Sequence, residues 1–210
     1  MGKYMGPVDG LAYITFLATG LPITAAMFTA AFECSYGTFI RLEFDKVYEG
    51  MLAAPITVKN LLLGEILWAG TKGFFFSLAV TIVVALFGLV PLPWTFLTPI
   101  VGFLTGVMFA TLSLLITSFV RNINHFNFFF TGFLSPMFFF SGVVFPIQNL
   151  PVTLRWVAEI FPLTHVVRIC RSLDTLSFSS IMLFDLFFIL IFTLITGWFA
   201  IKRLSRRLIR

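Results

Sequence analysis

The sequence predicts an all-α polytopic membrane protein, and three observations carry that reading. Hydrophobic residues fill 59% of the 210 positions and charged residues 11%, whereas a soluble domain carries about 25% charged residues. A mean hydropathy of +1.02 would leave a water-soluble fold with more apolar surface than it could cover. The apolar runs are roughly twenty residues long and do not alternate with polar ones, which suits helices of about 30 Å and excludes barrel strands. Inside lipid each segment must satisfy its own backbone groups, and helices do so.

Five spans are expected within a single domain over 1–210, at about 11–32, 61–90, 96–119, 126–145 and 181–201. The first carries no charge, is too long for a signal-peptide core and lacks a convincing small-residue cleavage site. The second contains Glu65 and Lys72 and gives way to a tight turn at Pro91-Leu92-Pro93. The third ends at Arg121-Asn122, and the fourth starts after His125 and reaches Phe145-Pro146. The last runs directly into Lys202, Arg203, Arg206, Arg207 and Arg210.

Two stretches between the spans read as structured. Over 42–57, Phe44, Val47, Tyr48 and Met51 recur at helical spacing while Glu43, Asp45, Lys46 and Glu49 lie off that stripe. This predicts an amphipathic helix along the membrane surface, stopped by Pro55, with Thr57 as N-cap of the next span. Over 146–174, Leu150, Leu154, Val157 and Phe161 form a second stripe. Pro151 suits a first helical turn, Arg155 and Glu159 are spaced to pair, and Pro162 is expected to end the helix. The segment is read as a short helical, re-entrant-like element.

The net charge of +5 is concentrated in the basic tail, which marks a cytoplasmic anchor at lipid headgroups and not a nucleic-acid footprint. With the tail inside, 33–60 and 120–125 fall inside, while 91–95, 146–180 and the N-terminus fall outside. Nine Lys/Arg are then inside and four outside, with Lys72 in a span, as the positive-inside rule requires. An outside N-terminus with an odd span count means that the first span inserts unaided or that a further helix precedes it. Cys34 and Cys170 fall on opposite sides, which excludes a disulfide between them within one chain.

The chain has no Walker A loop, no HExxH and no metal-spaced Cys/His cluster. Ser141-Gly142 approaches a membrane serine-protease motif, but Phe139 stands where that motif has glycine. No catalytic residue, metal site or cofactor site is therefore expected here. Gly102, Gly106 and Ala110 give the third span a small-residue face, read first as internal packing and second as a subunit interface. Glu65, Lys72 and Asp185 are charges within apolar runs, each costing ~2.5–3.5 kcal/mol at a helix centre. Snorkelling accounts for Glu65 and Asp185, which lie near span ends. Lys72 is deeper and is read as contacting an anionic headgroup or a polar substrate group. Glu65 and Lys72, about 10 Å apart along the axis, are too far apart for a direct pair. The triplets Phe74–Phe76, Phe128–Phe130 and Phe138–Phe140 point in three directions each and are read mainly as lipid-facing.

Two stretches carry a family resemblance. Phe32-Glu33-Cys34-Ser35-Tyr36-Gly37-Thr38-Phe39, continued by Glu49-Gly50-Met51-Leu52-Ala53-Ala54-Pro55-Ile56-Thr57 and the Gly64-Glu65 step, resembles the first cytoplasmic region of type-2 ABC exporter permeases. So does Ser135-Pro136-Met137-Phe138-Phe139-Phe140-Ser141-Gly142-Val143-Val144-Phe145-Pro146, followed by Leu150-Pro151, Phe161-Pro162-Leu163-Thr164-His165 and Arg171. The resemblance is greatest to the nodulation lipo-chitooligosaccharide, polysaccharide and drug export permeases of bacterial inner membranes. It implies six spans, of which the first is absent from this sequence, and a dimer with a second permease copy or homologue. It further implies a cytosolic ABC ATPase subunit, which holds ATP-Mg and docks on the coupling segment. Glu49 would then give polar contacts, Gly50 close approach, Met51 and Leu52 an apolar knob, and Pro55 and Thr57 a stiff joint. An ion-gradient-driven secondary transporter is the alternative, without an internal repeat to support it, and a membrane-embedded enzyme lacks its motifs.

Overall fold

The computed structural model describes residues 13–90, 94–175 and 180–208. Helix α1 runs Tyr13–Phe32 and continues through two π turns, Glu33–Gly37 and Ile40–Phe44. A short α2 at Val47–Leu52 leads to α3, Val58–Leu86, and α4, Thr98–Phe119. Helix α5 (Phe126–Phe129), a π turn at Phe130–Leu134 and α6 (Ser135–Phe140) form one broken helix. Helices α7 (Val152–Ile160), α8 (Pro162–Thr175) and α9 (Ser180–Leu208) complete the chain. No strand occurs among the described residues. The expected Pro91-Leu92-Pro93 turn, the N-terminus and Arg210 lie outside them.

Four stretches are long and apolar enough to cross a membrane: Tyr13–Phe44, Val58–Leu86, Thr95–Phe119 and Ser180–Leu208. The fourth expected span, 126–145, is not among them. Its broken helix ends at Phe140, where Ser141-Gly142 turns the chain with Gly142 at φ +83, and it is shorter than those four. The first span is longer than its charge-free run suggested, because Glu33 and Arg41 are paired within the fold. The surface helix is shorter than expected. Phe44 belongs to the end of the first long helix, Lys46 breaks the chain in a left-handed conformation (φ 50), and only Val47–Leu52 is α-helical there.

Helices α1 and α4 are the most enclosed, and α9 is the most outward. On α9, Leu183, Phe187, Leu190, Leu194 and Trp198 are all exposed and recur every three or four residues, the lipid-facing stripe of a peripheral span. The Phe triplets divide in the same way: Phe75, Phe76, Phe128, Phe139 and Phe140 are exposed, whereas Phe129 is buried.

The closest helix approach is between α3 and α4. A methyl added at Gly102 would meet Ser77 Cβ at 2.4 Å, and one at Gly106 would meet Gly70 Cα at 2.9 Å. Gly102 and Gly106 thus sit inside the protomer against a matching small-residue face of Gly70, Gly73 and Ser77, and Ala110 is buried one turn further. Since lipid tails are as apolar as leucine, such backbone proximity is what holds membrane helices together. The Thr111 and Thr196 hydroxyls, 2.8 Å apart, link α4 to α9.

This packing predicts a contrast between two glycines. Gly102→Ala overpacks the α3–α4 seam and should cost about 1–3 kcal/mol of unfolding free energy in mixed micelles. Gly64→Ala adds a methyl where nothing lies within 4 Å and should be neutral or slightly stabilising, since alanine is the better helix former. Equal effects at both sites would mean that the seam is not close-packed.

Candidate coupling site

At the end of the bundle nearest α2, two carboxylates and two cations close on one another. Arg41 Nη1 donates to Glu33 Oε1 at 3.0 Å and its Nη2 to Glu65 Oε2 at 2.6 Å. Lys72 Nζ donates to the other Glu33 oxygen at 2.6 Å. Thr38 Oγ1 adds a 3.3 Å bond to Glu65. The cluster is neutral as a whole and joins α1 to α3. Charge neutralisation of this kind removes most of the cost of holding ions at membrane depth.

The π turns build this geometry. In a regular α-helix, residues seven apart share a face, and a π turn inserts one extra residue. Glu33 and Arg41, eight apart, are thereby brought to one side. Thr117 of α4 donates to the Cys34 carbonyl at 2.9 Å, satisfying backbone within the irregular stretch. The sequence already separates Glu65 and Lys72 too far for a direct pair. The structure links them through Glu33 and Arg41. Glu65 does not snorkel; it is held from two sides.

The short helix α2 is tied to this cluster by Tyr48. Its side chain is buried, 1% exposed, and its hydroxyl accepts from Arg41 Nε at 3.5 Å. Burial first, and then the nearby Glu65 carboxylate, hold the phenol well above its ordinary range, so it stays a neutral hydrogen-bonding group. The neighbours of Tyr48 face outward. Glu49 is 70% exposed and only loosely paired with Lys46 at 3.8 Å. Met51 is exposed, and nothing lies within 4 Å of a methyl added at Gly50. Leu52 is half-buried against the core, so Met51 and Leu52 do not form one exposed knob. Pro55 is exposed beyond the end of α2, and the Thr57 side chain caps α3 by accepting from the Asn60 N–H at 3.2 Å.

Beside the Glu33–Lys72 pair lies an open groove of about 410 Å³ walled by Phe28, Phe32, Tyr36 and Phe76. Phe32 stacks on Phe130 at 4.3 Å and on Tyr36 at 5.7 Å. Lys72 also stands 5.2 Å from the Trp68 ring. An apolar aromatic groove with one ion pair at its edge suits an amphipathic occupant.

The opposite end of the bundle holds a second cluster. Asp185 is 0% exposed, so it does not snorkel. Its Oδ1 lies 2.7 Å from His165 Nδ1 and accepts from Arg168 Nη1 at 3.3 Å. His165 Nε2 faces the Glu159 carbonyl at 2.9 Å, and Arg168 also donates to the Glu159 carboxylate at 2.6 Å. Arg168 displaces the expected Arg155–Glu159 pair, and Arg155 instead donates to the Leu150 carbonyl at 2.8 Å. Pro162 ends one helix but opens another, since α8 starts at it. Leu154 and Val157, members of the apolar stripe, are exposed on α7. Both cysteines are free and buried. No group of side chains able to hold a metal ion occurs among the described residues.

Comparison with known proteins fits this architecture. The family model described as ABC-2 type transporter matches residues 5–174, and the chain belongs to that family of transporter membrane subunits. It is 36% identical over 172 residues to Nodulation protein J of Sinorhizobium fredii, covering 81% of this chain and 65% of that protein. Nodulation protein J of Rhizobium meliloti is 35% identical over 176 residues, covering 82% and 66%. The inner membrane transport permease YadH of Escherichia coli is 25% identical over 170 residues, covering 80% and 65%. The chain thus spans just under two thirds of the length of these relatives. No solved structure matches it.

The Asp185 cluster makes a quantitative prediction. Asp185→Ala leaves His165 and Arg168 short of a buried acceptor and should cost about 3–5 kcal/mol in unfolding free energy. Glu49→Ala, at an exposed site, should stay within about 0.5 kcal/mol. A loss below 1 kcal/mol for Asp185→Ala would show that α8 and α9 do not depend on the pair.

Proposed function

We propose that this chain is the membrane-spanning permease subunit of an ATP-driven exporter. A separate cytosolic ATPase subunit holds ATP-Mg and docks on α2, and a second permease copy or homologue completes the pathway. The observation that carries this reading is the tie from α2 through Tyr48 and Arg41 to Glu33 and Glu65. Glu49, Gly50 and Met51 offer an open face to a partner, and Tyr48 passes displacement of that face to α1 and α3. The half-buried Leu52 roots the segment, and the Thr57 cap stiffens its joint with α3. The ATPase supplies the hydrolysis chemistry, and this chain's residues bind, position and transmit.

The cargo is amphipathic: a lipid-linked saccharide, a polysaccharide or an amphipathic small molecule moved out of the cytoplasm. The aromatic groove suits its apolar or ring-bearing part, and Lys72 the polar part, by exchanging Glu33 for a substrate group. The bundle end bearing α2 and the basic C-terminal turns faces the cytoplasm, and the protein resides in the bacterial inner membrane.

Two experiments test this. Met51→Asp, at an exposed position, should leave the subunit folded and inserted but reduce co-purification of its ATPase at least tenfold and abolish export. Normal binding and export by that variant would move the docking site elsewhere. For orientation, both natural cysteines are buried and report little. A cysteine replacing exposed Glu49 should be protected from an impermeant thiol reagent in intact cells, and one replacing exposed Trp156 should react. The reverse pattern would invert the topology.

A further inference from the structure

The last turns of α4 and α9 enclose an open cleft of about 830 Å³. One wall is apolar, including Phe119 and Phe199, both more than half exposed. The other is cationic: Arg121, Lys202, Arg203, Arg206 and Arg207. No carboxylate lines it among the described residues.

Only Arg207 has a full set of partners. It donates to the Thr117 and Val120 carbonyls at 2.9 Å each and to Glu43 at 2.6 Å. Arg203 lies over the Phe119 ring at 3.8 Å and Lys202 over the Trp198 ring at 4.5 Å. Ring contacts orient a cation without neutralising it. Arg121 and Arg206 are exposed, and no described carboxylate pairs with them. Exposed Asp45 does not line the cleft, Glu43 holds Arg207, and the other acids with described partners are committed elsewhere. Glu33 and Glu65 hold Arg41 and Lys72, Glu49 lies beside Lys46, and Glu159 and Asp185 hold Arg168. Among the described residues, four cations therefore share one cleft without a bonded carboxylate, an arrangement that is self-repelling until an anion enters.

We propose that this cleft binds one anionic glycerophospholipid, with its phosphate taken by Arg121 and Arg206, assisted by Lys202, and its acyl chains laid on Phe119 and Phe199. Clustered basic residues at the end of a membrane helix attract anionic headgroups, and guanidinium groups match phosphate oxygens. The apolar wall selects a lipid over a free phosphate, which would leave Phe119 and Phe199 uncovered. The site lies on α4 and α9 and shares no lining residue with the aromatic groove, so it does not rest on the transport reading.

The test is native mass spectrometry of the full chain in detergent. The probes are dioleoylphosphatidylglycerol, dioleoylphosphatidylcholine and glycerol phosphate. One phosphatidylglycerol should be retained at least about tenfold more tightly than either comparison molecule. Arg121→Gln/Arg206→Gln should weaken phosphatidylglycerol binding at least about tenfold and leave phosphatidylcholine unchanged. Should that variant not fold, Phe199→Ala, at an exposed position, carries the test and should also weaken the retained phosphatidylglycerol. Equal binding of the two lipids, equally tight glycerol phosphate, or native-like phosphatidylglycerol binding by the arginine or phenylalanine variant would overturn the assignment.

Discussion

A charge placed among lipid tails must be matched where it stands, because no water is present to solvate it. In this chain the matching of Glu33 and Glu65 by Arg41 and Lys72 decides how the helices run. The neutral cluster lets α1 continue for a further three turns past its last uncharged stretch, and those turns are π-distorted so that Glu33 and Arg41 share a face. The same cluster ties α3 to α1 and provides a polar floor beneath buried Tyr48. A single electrostatic requirement thus positions the first span, the second span and the surface segment between them.

Packing elsewhere follows from the absence of a hydrophobic driving force between helices in lipid. With no gain from hiding leucine from a leucine-like solvent, α3 and α4 associate by bringing backbones together at Gly70, Gly73, Gly102 and Gly106. The outer helix α9 has no comparable glycine seam. It is held by the Thr111–Thr196 contact, by Gly197 against Thr111, and by the bond of its Asp185 to His165 of α8. Its exposed stripe of large apolar residues is left to lipid.

Helix identity was legible from hydropathy, and the α3 cap was legible from Thr57, because both signals are local. The small-residue motif on α4 was legible too, although its partner face on α3 was not, since glycine and serine at 70, 73 and 77 look unremarkable inside an apolar run. The charged sites were half legible. Glu65, Lys72 and Asp185 stood out as expensive residues, and snorkelling was the economical local answer for the two carboxylates. Their partners lie 24, 39 and 20 residues away in sequence, beyond any periodicity argument. The missed signal was stoichiometric: Glu33 and Arg41 border the same apolar runs with the complementary charges. The 126–145 run was legible as an apolar segment, but the turn that Gly142 makes after Phe140 was not, because composition alone cannot reveal it.

The two charged clusters differ in a way that bears on how the bundle could transmit force. The His165–Asp185 pair is sealed from solvent and locks α7, α8 and α9 together at one end. The Arg41 cluster is partly open, with Lys72 a third exposed and Arg41 a quarter. Breaking an ion pair is costly where nothing replaces the lost partner and cheap where water or a ligand can. The buried His165–Asp185 pair is therefore costly to break, whereas the partly exposed Arg168–Glu159 pair beside it and the Arg41 and Lys72 pairs at the other end can exchange partners at lower cost. On the proposed reading the movable end is the one that carries α2. Displacing α2 would shift Tyr48 against Arg41, redistribute Glu33 between Arg41 and Lys72, and change the charge presented to the aromatic groove beside them.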